Sequence, residues 1–135
     1  MDYEIVDGKL ILDSLTVDGS LNLRNTNIVE LPDNLSVEGY LDLSKTNISK
    51  LPDNLSVGGY LYLENTKITN YPVVYDCGVL NRVIYLDLED KRYINIGCFK
   101  GTKDEAIESV KEKYNGKDQE DYIAKIEECF SMYQS

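Results

Sequence analysis

The sequence predicts an α/β solenoid: a stack of short parallel β-strands joined by extended arcs and closed by a C-terminal helical hairpin. Three observations carry that prediction. Leu15 to Ile28, Leu35 to Ile48 and Leu55 to Ile68 are versions of one segment, with a period of 20 residues marked by Gly19, Gly39 and Gly59. The linker Leu-Pro-Asp-Asn-Leu-Ser-Val occurs verbatim at 31–37 and 51–57, and Pro32, Pro52 and Pro72 share one repeat position. Beyond residue 101 the apolar spacing changes to three and four, the period of helices. A fixed period of this size marks coils that bury their apolar faces only against one another.

Taken in order, residues 1–14 predict an N-terminal capping coil. Val6-Asp-Gly-Lys-Leu-Ile-Leu12 aligns with Val17-Asp-Gly-Ser-Leu-Asn-Leu23, but Gly8 lies only 11 residues before Gly19, so the arc is missing. Residues 15–72 form three full repeats. Leu41 and Leu43 point to one face of a strand, and Tyr40, Asp42 and Ser44 to the other. Thr26, Thr46 and Thr66 are expected to hydrogen-bond the turn backbone of neighbouring coils. The repeat glycines mark corners where a side chain collides or φ is positive.

Residues 73–100 read as an irregular insertion and final strands. Tyr71 to Arg82 breaks the register. Arg82 to Leu88 recovers Leu-x-Leu and is expected as a further strand of the stack, and Tyr93 to Ile96 as a hairpin partner. Residues 101–135 read as an αα cap. Thr102 and Glu105 form a capping box, with Ala106, Ile107, Val110 and Tyr114 on one helix face. A second helix over 119–133 carries Ile123, Ile126, Phe130 and Tyr133.

Composition narrows the function classes. The net charge is −10, with a pI near 4.4, which argues against direct binding along nucleic-acid phosphates. With no histidine, the usual general base and the commonest transition-metal ligand are missing. No catalytic constellation or phosphate-cradling loop stands out, so no enzyme and no cofactor or metal are expected. Cys77, Cys98 and Cys129 lack metal-ligand spacing and are odd in number, so they read as reduced thiols of a cytosolic protein. The acidic start Met1-Asp-Tyr-Glu-Ile does not read as a signal peptide, and no apolar run reaches bilayer length, so no membrane is expected.

The spacing L-x-L-x-x-T-x-I-x-x-L-P, covering residues 15–72, resembles the leucine-rich repeat in its short 20-residue bacterial type. It departs after the proline, where Pro-x-x-Leu-x-Val-x-Gly-x-Leu replaces a second Leu-Pro. In that form, and in the tail Gly97 to Ala106 followed by Asp121 to Cys129, the chain resembles small repeat proteins encoded by phages and prophages. The resemblance implies a purpose: blocking a defence or regulatory protein in the bacterial host cytoplasm.

Period-two alternation selects the candidate site. The outward columns read Lys9/Ile11/Asp13, Ser20/Asn22/Arg24, Tyr40/Asp42/Ser44, Tyr60/Tyr62/Glu64 and Tyr85/Asp87/Glu89. At about 4.8 Å between strands, Tyr40 and Tyr60 are expected to touch, with Tyr62 alongside and Tyr85 next. Tyrosines flanked by Asp42, Glu64 and Asp87 suit a partner with a basic surface: aromatic rings give area at low entropic cost, and carboxylates select cations. Two other readings remain open. A nucleotide-like signal stacking on the tyrosines would need Arg24, Arg82, Lys91 or Arg92 for charge. An acidic nucleic-acid mimic would need only the surface charge. The strand edge near residues 2–12 leaves homodimer pairing open.

Overall fold

The computed structural model describes residues 3–78, 80–97 and 99–133. Two compact units divide the chain, Met1–Asn70 and Tyr71–Ser135.

The first unit begins with an antiparallel hairpin, β1 (Tyr3–Val6) and β2 (Lys9–Leu12), whose ladder pairs Val6 with Lys9 and Tyr3 with Leu12. Its two-residue turn is Asp7-Gly8, both at positive φ (52° and 79°). That is the Asp-Gly geometry whose twist suits a hairpin. The expected shortened parallel coil is therefore a hairpin, tied to the first repeat by one parallel bridge between Lys9 and Glu30 and by Val29 N–H donating to Gly8 O (2.7 Å).

Six two-residue strands follow: β3 (Thr16–Val17), β4 (Leu21–Asn22), β5 (Ser36–Val37), β6 (Leu41–Asp42), β7 (Ser56–Val57) and β8 (Leu61–Tyr62). They form two parallel ladders, β3-β5-β7 and β4-β6-β8. Both keep the 20-residue register: Val17 pairs with Val37 and Val37 with Val57, Leu21 with Leu41 and Leu41 with Leu61. The Leu-Ser-Val segment, expected as arc, is thus a second strand of each repeat. The same repeat positions are buried each time, including Leu23, Leu43 and Leu63, and Ile28, Ile48 and Ile68.

The corners are built from left-handed residues. Asn25, Lys45 and Asn65 repeat at one corner and Asn34 and Asn54 at another, all with φ between 58° and 66°. Asparagine tolerates this region better than most residues. The glycine column has a different cause. Of Gly19, Gly39 and Gly59 only Gly19 has positive φ (88°). Gly39 and Gly59 are required by close approach: Gly59 N–H donates to Gly39 O at 2.9 Å, and a Cβ on Gly59 would lie 3.0 Å from the Gly39 carbonyl carbon.

The threonine hydroxyls bond within their own repeats. Thr26, Thr46 and Thr66 donate through Oγ1 to Leu23 O, Leu43 O and Leu63 O at 2.7, 2.7 and 2.6 Å. Each hydroxyl satisfies a carbonyl three residues back, which closes the turn after the strand.

The second unit carries a four-stranded antiparallel sheet in the order β12-β11-β10-β9, from β9 (Val73–Cys77), β10 (Arg82–Leu86), β11 (Tyr93–Ile96) and β12 (Phe99–Thr102). Helices α1 (Lys103–Lys113) and α2 (Gly116–Tyr133) form the expected C-terminal hairpin. The Thr102–Glu105 capping box is formed in both directions, with bonds of 3.3 and 2.8 Å. Sheet and helices share a core that includes Val74, Ile84, Leu86, Ile94, Ala106 and Ile126. Two parts of the expectation change here. The irregular insertion contains β9. And β10 pairs antiparallel with β9 and β11, so it is not a further rung of the parallel ladder.

Candidate protein-binding face

The face is set by the β4-β6-β8 ladder. Leu21 N–H donates to Tyr40 O and Leu41 N–H to Tyr60 O, both at 2.9 Å, and Leu43 N–H donates to Tyr62 O at 2.9 Å. Ser20 Oγ accepts from Tyr40 N–H (3.0 Å). The tyrosine backbone is therefore held between coils while the side chains project opposite the leucines.

Tyr40, Tyr60 and Tyr62 are 36%, 49% and 37% exposed. Their rings form one cluster with Tyr62 at its centre. Tyr40 meets Tyr62 edge-on, with centroids 5.8 Å apart and planes at 72°, and Tyr60 meets Tyr62 at 6.0 Å and 50°. The expected Tyr40–Tyr60 contact is thus made through Tyr62. This edge-to-face arrangement is the one that ring quadrupoles favour.

The carboxylates divide into two kinds. Glu64 is exposed and accepts from the Ser44 hydroxyl through Oε2 (2.8 Å). Asp42, expected to be exposed, is only 8% exposed. It is flanked in register by Asn22 and Tyr62, and its Oδ1 accepts from Ser44 N–H at 2.9 Å. Ser44 is buried with it. These two residues brace the face from beneath.

Tyr85 and Asp87 belong to the second unit. Tyr85 is 8% exposed and sits in β10, opposite Asn95 and Val73. Asp87 organises the turn after β10, accepting from the N–H groups of Glu89 (3.2 Å) and Asp90 (3.3 Å) and from the Asn95 amide (3.0 Å). Lys100 pairs with it at 3.3 Å. Burial opposes its charge, yet the hydrogen bonds from Asn95 and Lys100 outweigh that and hold its carboxyl below the usual range. Of the four cations named for a nucleotide, Arg82, Lys91 and Arg92 are also in this unit, leaving Arg24 beside the tyrosine ladder.

Sequence reasoning missed three features of the second unit. Lys91 Nζ lies 5.3 Å from the Tyr71 ring centroid and 5.6 Å from that of Tyr133. Tyr122 and Cys129 occupy the buried stripe of α2, where Ile123 and Tyr133 were expected beside Ile126 and Phe130. A cavity of about 80 Å³, lined by Arg82, Phe99, Val110 and Tyr122 among others, adjoins the Tyr122 side chain, whose buried hydroxyl has no hydrogen-bond partner among the described residues. The only earlier signal was the 3–4 spacing of Tyr122, Ile126 and Cys129.

Among the described residues no cluster of His, Cys, Asp or Glu could hold a metal ion. Cys77 and Cys129 are free and buried, and burial pushes both thiols up to about 12, which suppresses the thiolate a nucleophile needs. Cys98 lies outside the described residues. No helix among them is long and apolar enough to cross a membrane. The chain matches no protein-family model, no curated protein and no solved structure.

Proposed function

We propose that the first unit is a leucine-rich-repeat-type solenoid and that the protein is a non-enzymatic binding module. Its contact surface is the sheet face around Tyr40, Tyr60, Tyr62 and Glu64, and its partner is a protein with a basic surface. The observation that carries the reading is the three-ring tyrosine cluster, exposed on a hydrogen-bonded ladder in a chain of net charge −10. Tyrosine anchors on a rigid backbone lose little entropy on docking, and the exposed carboxylate of Glu64 beside them favours a cationic partner. The resemblance to phage-encoded repeat proteins extends this to a purpose: inhibition of a defence or regulatory protein in the bacterial cytoplasm. A nucleotide-sequestering role finds less support, since Arg24 alone of its candidate cations shares the unit of the tyrosine cluster.

The test is retention of a host protein by the tagged chain, run beside Tyr40→Ala/Tyr60→Ala/Tyr62→Ala. Loss of a retained protein in a folded triple variant supports the face. Equal retention by both removes it. A partner released in steep proportion to salt, and indifferent to the tyrosines, favours nucleic-acid mimicry.

A further inference from the structure

Resting on that reading of the sheet face, we infer that the Tyr40–Tyr62–Tyr60 cluster receives an arginine side chain of the partner. Ring faces attract cations through the negative side of their quadrupole, within about 6 Å of the centroid. Three tyrosines of the second unit do lie under cations of this chain: Lys91 over Tyr71 and Tyr133, and Lys100 5.8 Å over Tyr93. On the sheet face, among the described residues, no lysine or arginine lies over Tyr40, Tyr60 or Tyr62. The rings stand at 72° and 50° to the central one, so an incoming cation meets more than one aromatic wall.

A carboxylate stands ready beside them. Glu64 lies two residues beyond Tyr62 and is exposed. Its Oε2 takes the Ser44 hydroxyl, and among the described residues no donor occupies Oε1. The Ser44 bond fixes the carboxylate, leaving one oxygen for a partner. Asp42 gives Oδ1 to Ser44 N–H and is too buried to lead.

Geometry selects guanidinium over ammonium. A guanidinium is planar, stacks on a ring while its edge donates to a carboxylate, and sheds water more readily than an ammonium. A lysine ammonium reaches either the ring or the carboxylate as a compact, strongly hydrated charge. Arginine is also enriched, and lysine depleted, where protein interfaces exclude water.

The experiment uses three tripeptides, acetyl-Gly-Xaa-Gly-amide with Xaa arginine, lysine or citrulline, titrated into the whole chain while tyrosine ring resonances are followed by NMR. The arginine peptide is expected to shift the Tyr40, Tyr60 and Tyr62 signals with a Kd about fivefold below that of the lysine peptide. Citrulline, with the same shape and no charge, should leave them unmoved. Tyr62→Leu keeps the apolar area and should erase the arginine preference, and Tyr62→Phe should retain it. Equal shifts from arginine and lysine, shifts from citrulline, or no shifts at these rings overturn the guanidinium inference alone. Retention of a host protein by the triple alanine variant overturns the face itself, whatever the peptides do.

Discussion

Gly59 N–H donates to Gly39 O at 2.9 Å, and that bond brings the two backbones so close that a Cβ on Gly59 would meet the Gly39 carbonyl carbon at 3.0 Å and its oxygen at 3.1 Å. The contact is with main chain, which cannot rotate aside. Gly59→Ala is expected to cost about 1–3 kcal/mol through overpacking. Gly19→Ala meets no neighbour but sits at φ 88°, so its cost is backbone strain of about 1–2 kcal/mol. Urea unfolding of the two variants tests both. A neutral Gly59→Ala would show that the coils have room to separate.

The threonine turns predict a gradient. Thr46 is buried, 6% exposed, and its hydroxyl bonds Leu43 O, whereas Thr26 is only half-buried. Thr46→Val leaves a buried carbonyl short of a donor and is expected to cost about 1–3 kcal/mol. Thr26→Val should cost less, because Leu23 O keeps the Thr26 N–H as a donor at 3.3 Å. Equal losses at the two sites would overturn that difference as the cause.

Among the described residues the buried Tyr122 hydroxyl has no hydrogen-bond partner, a burden that phenylalanine removes at nearly constant volume. Tyr122→Phe should leave stability unchanged or raise it by about 1 kcal/mol. A loss of that size would mean that the hydroxyl bonds to Tyr114, whose ring stacks on Tyr122 at 4.8 Å.

Stability should fall on the alkaline side. Burial raises the thiols of Cys77 and Cys129 to about 12 from their ordinary 9.0, so the folded chain favours the protonated thiols. Their contribution is full below the unfolded value near 9 and is lost as pH rises towards 12. The urea midpoint should therefore decline across that window, and less steeply in Cys77→Ala/Cys129→Ala. Asp87 acts at the other end. Its lowered value gives stability present above the ordinary 3.8 and lost as acid takes pH down through the folded value. Asp87→Asn should flatten the acid limb.

Removing the α1 cap isolates one local term. Thr102→Ala breaks the bond from Glu105 N–H and should cost about 1 kcal/mol, with Thr102→Ser largely restoring it.

The repeat was legible because each of its features recurs: leucine spacing, threonine and proline give three chances to be read. The tyrosine face followed from alternation alone, since strand side chains must alternate. Burial within that face was not legible. Asp42 and Tyr62 occupy equivalent positions, yet only the carboxylate is enclosed, because Asp42 lies on the central strand between Asn22 and Tyr62, whereas both of those lie on outer strands and are exposed. Of the second unit the helices were read, and so were the strands Arg82–Leu86 and Tyr93–Ile96, which pair as the expected hairpin. The capping box and helical spacing are local signals, whereas β9 and β12 exist through pairing with β10 and β11, and short runs such as Phe99–Thr102 carry little periodicity of their own. Arg82 to Leu88 misled because Leu-x-Leu marks a strand without saying which partner it takes. The Asp7-Gly8 hairpin was legible in principle, and the alignment to the repeat concealed it.

The uniform register of the two ladders has a genetic consequence. The segment 31–37 is repeated verbatim at 51–57, and the structure places both copies at equivalent points of adjacent coils, with Ser36 paired to Ser56 and Val37 to Val57. Unequal recombination between the encoding stretches would remove or add one whole coil, joining like to like at the crossover. Each event would change the ladder by one strand spacing of about 4.8 Å and leave every left-handed corner intact. The length of the aromatic column is therefore a trait that can change in whole steps, by copy number, without passing through a misfolded intermediate sequence.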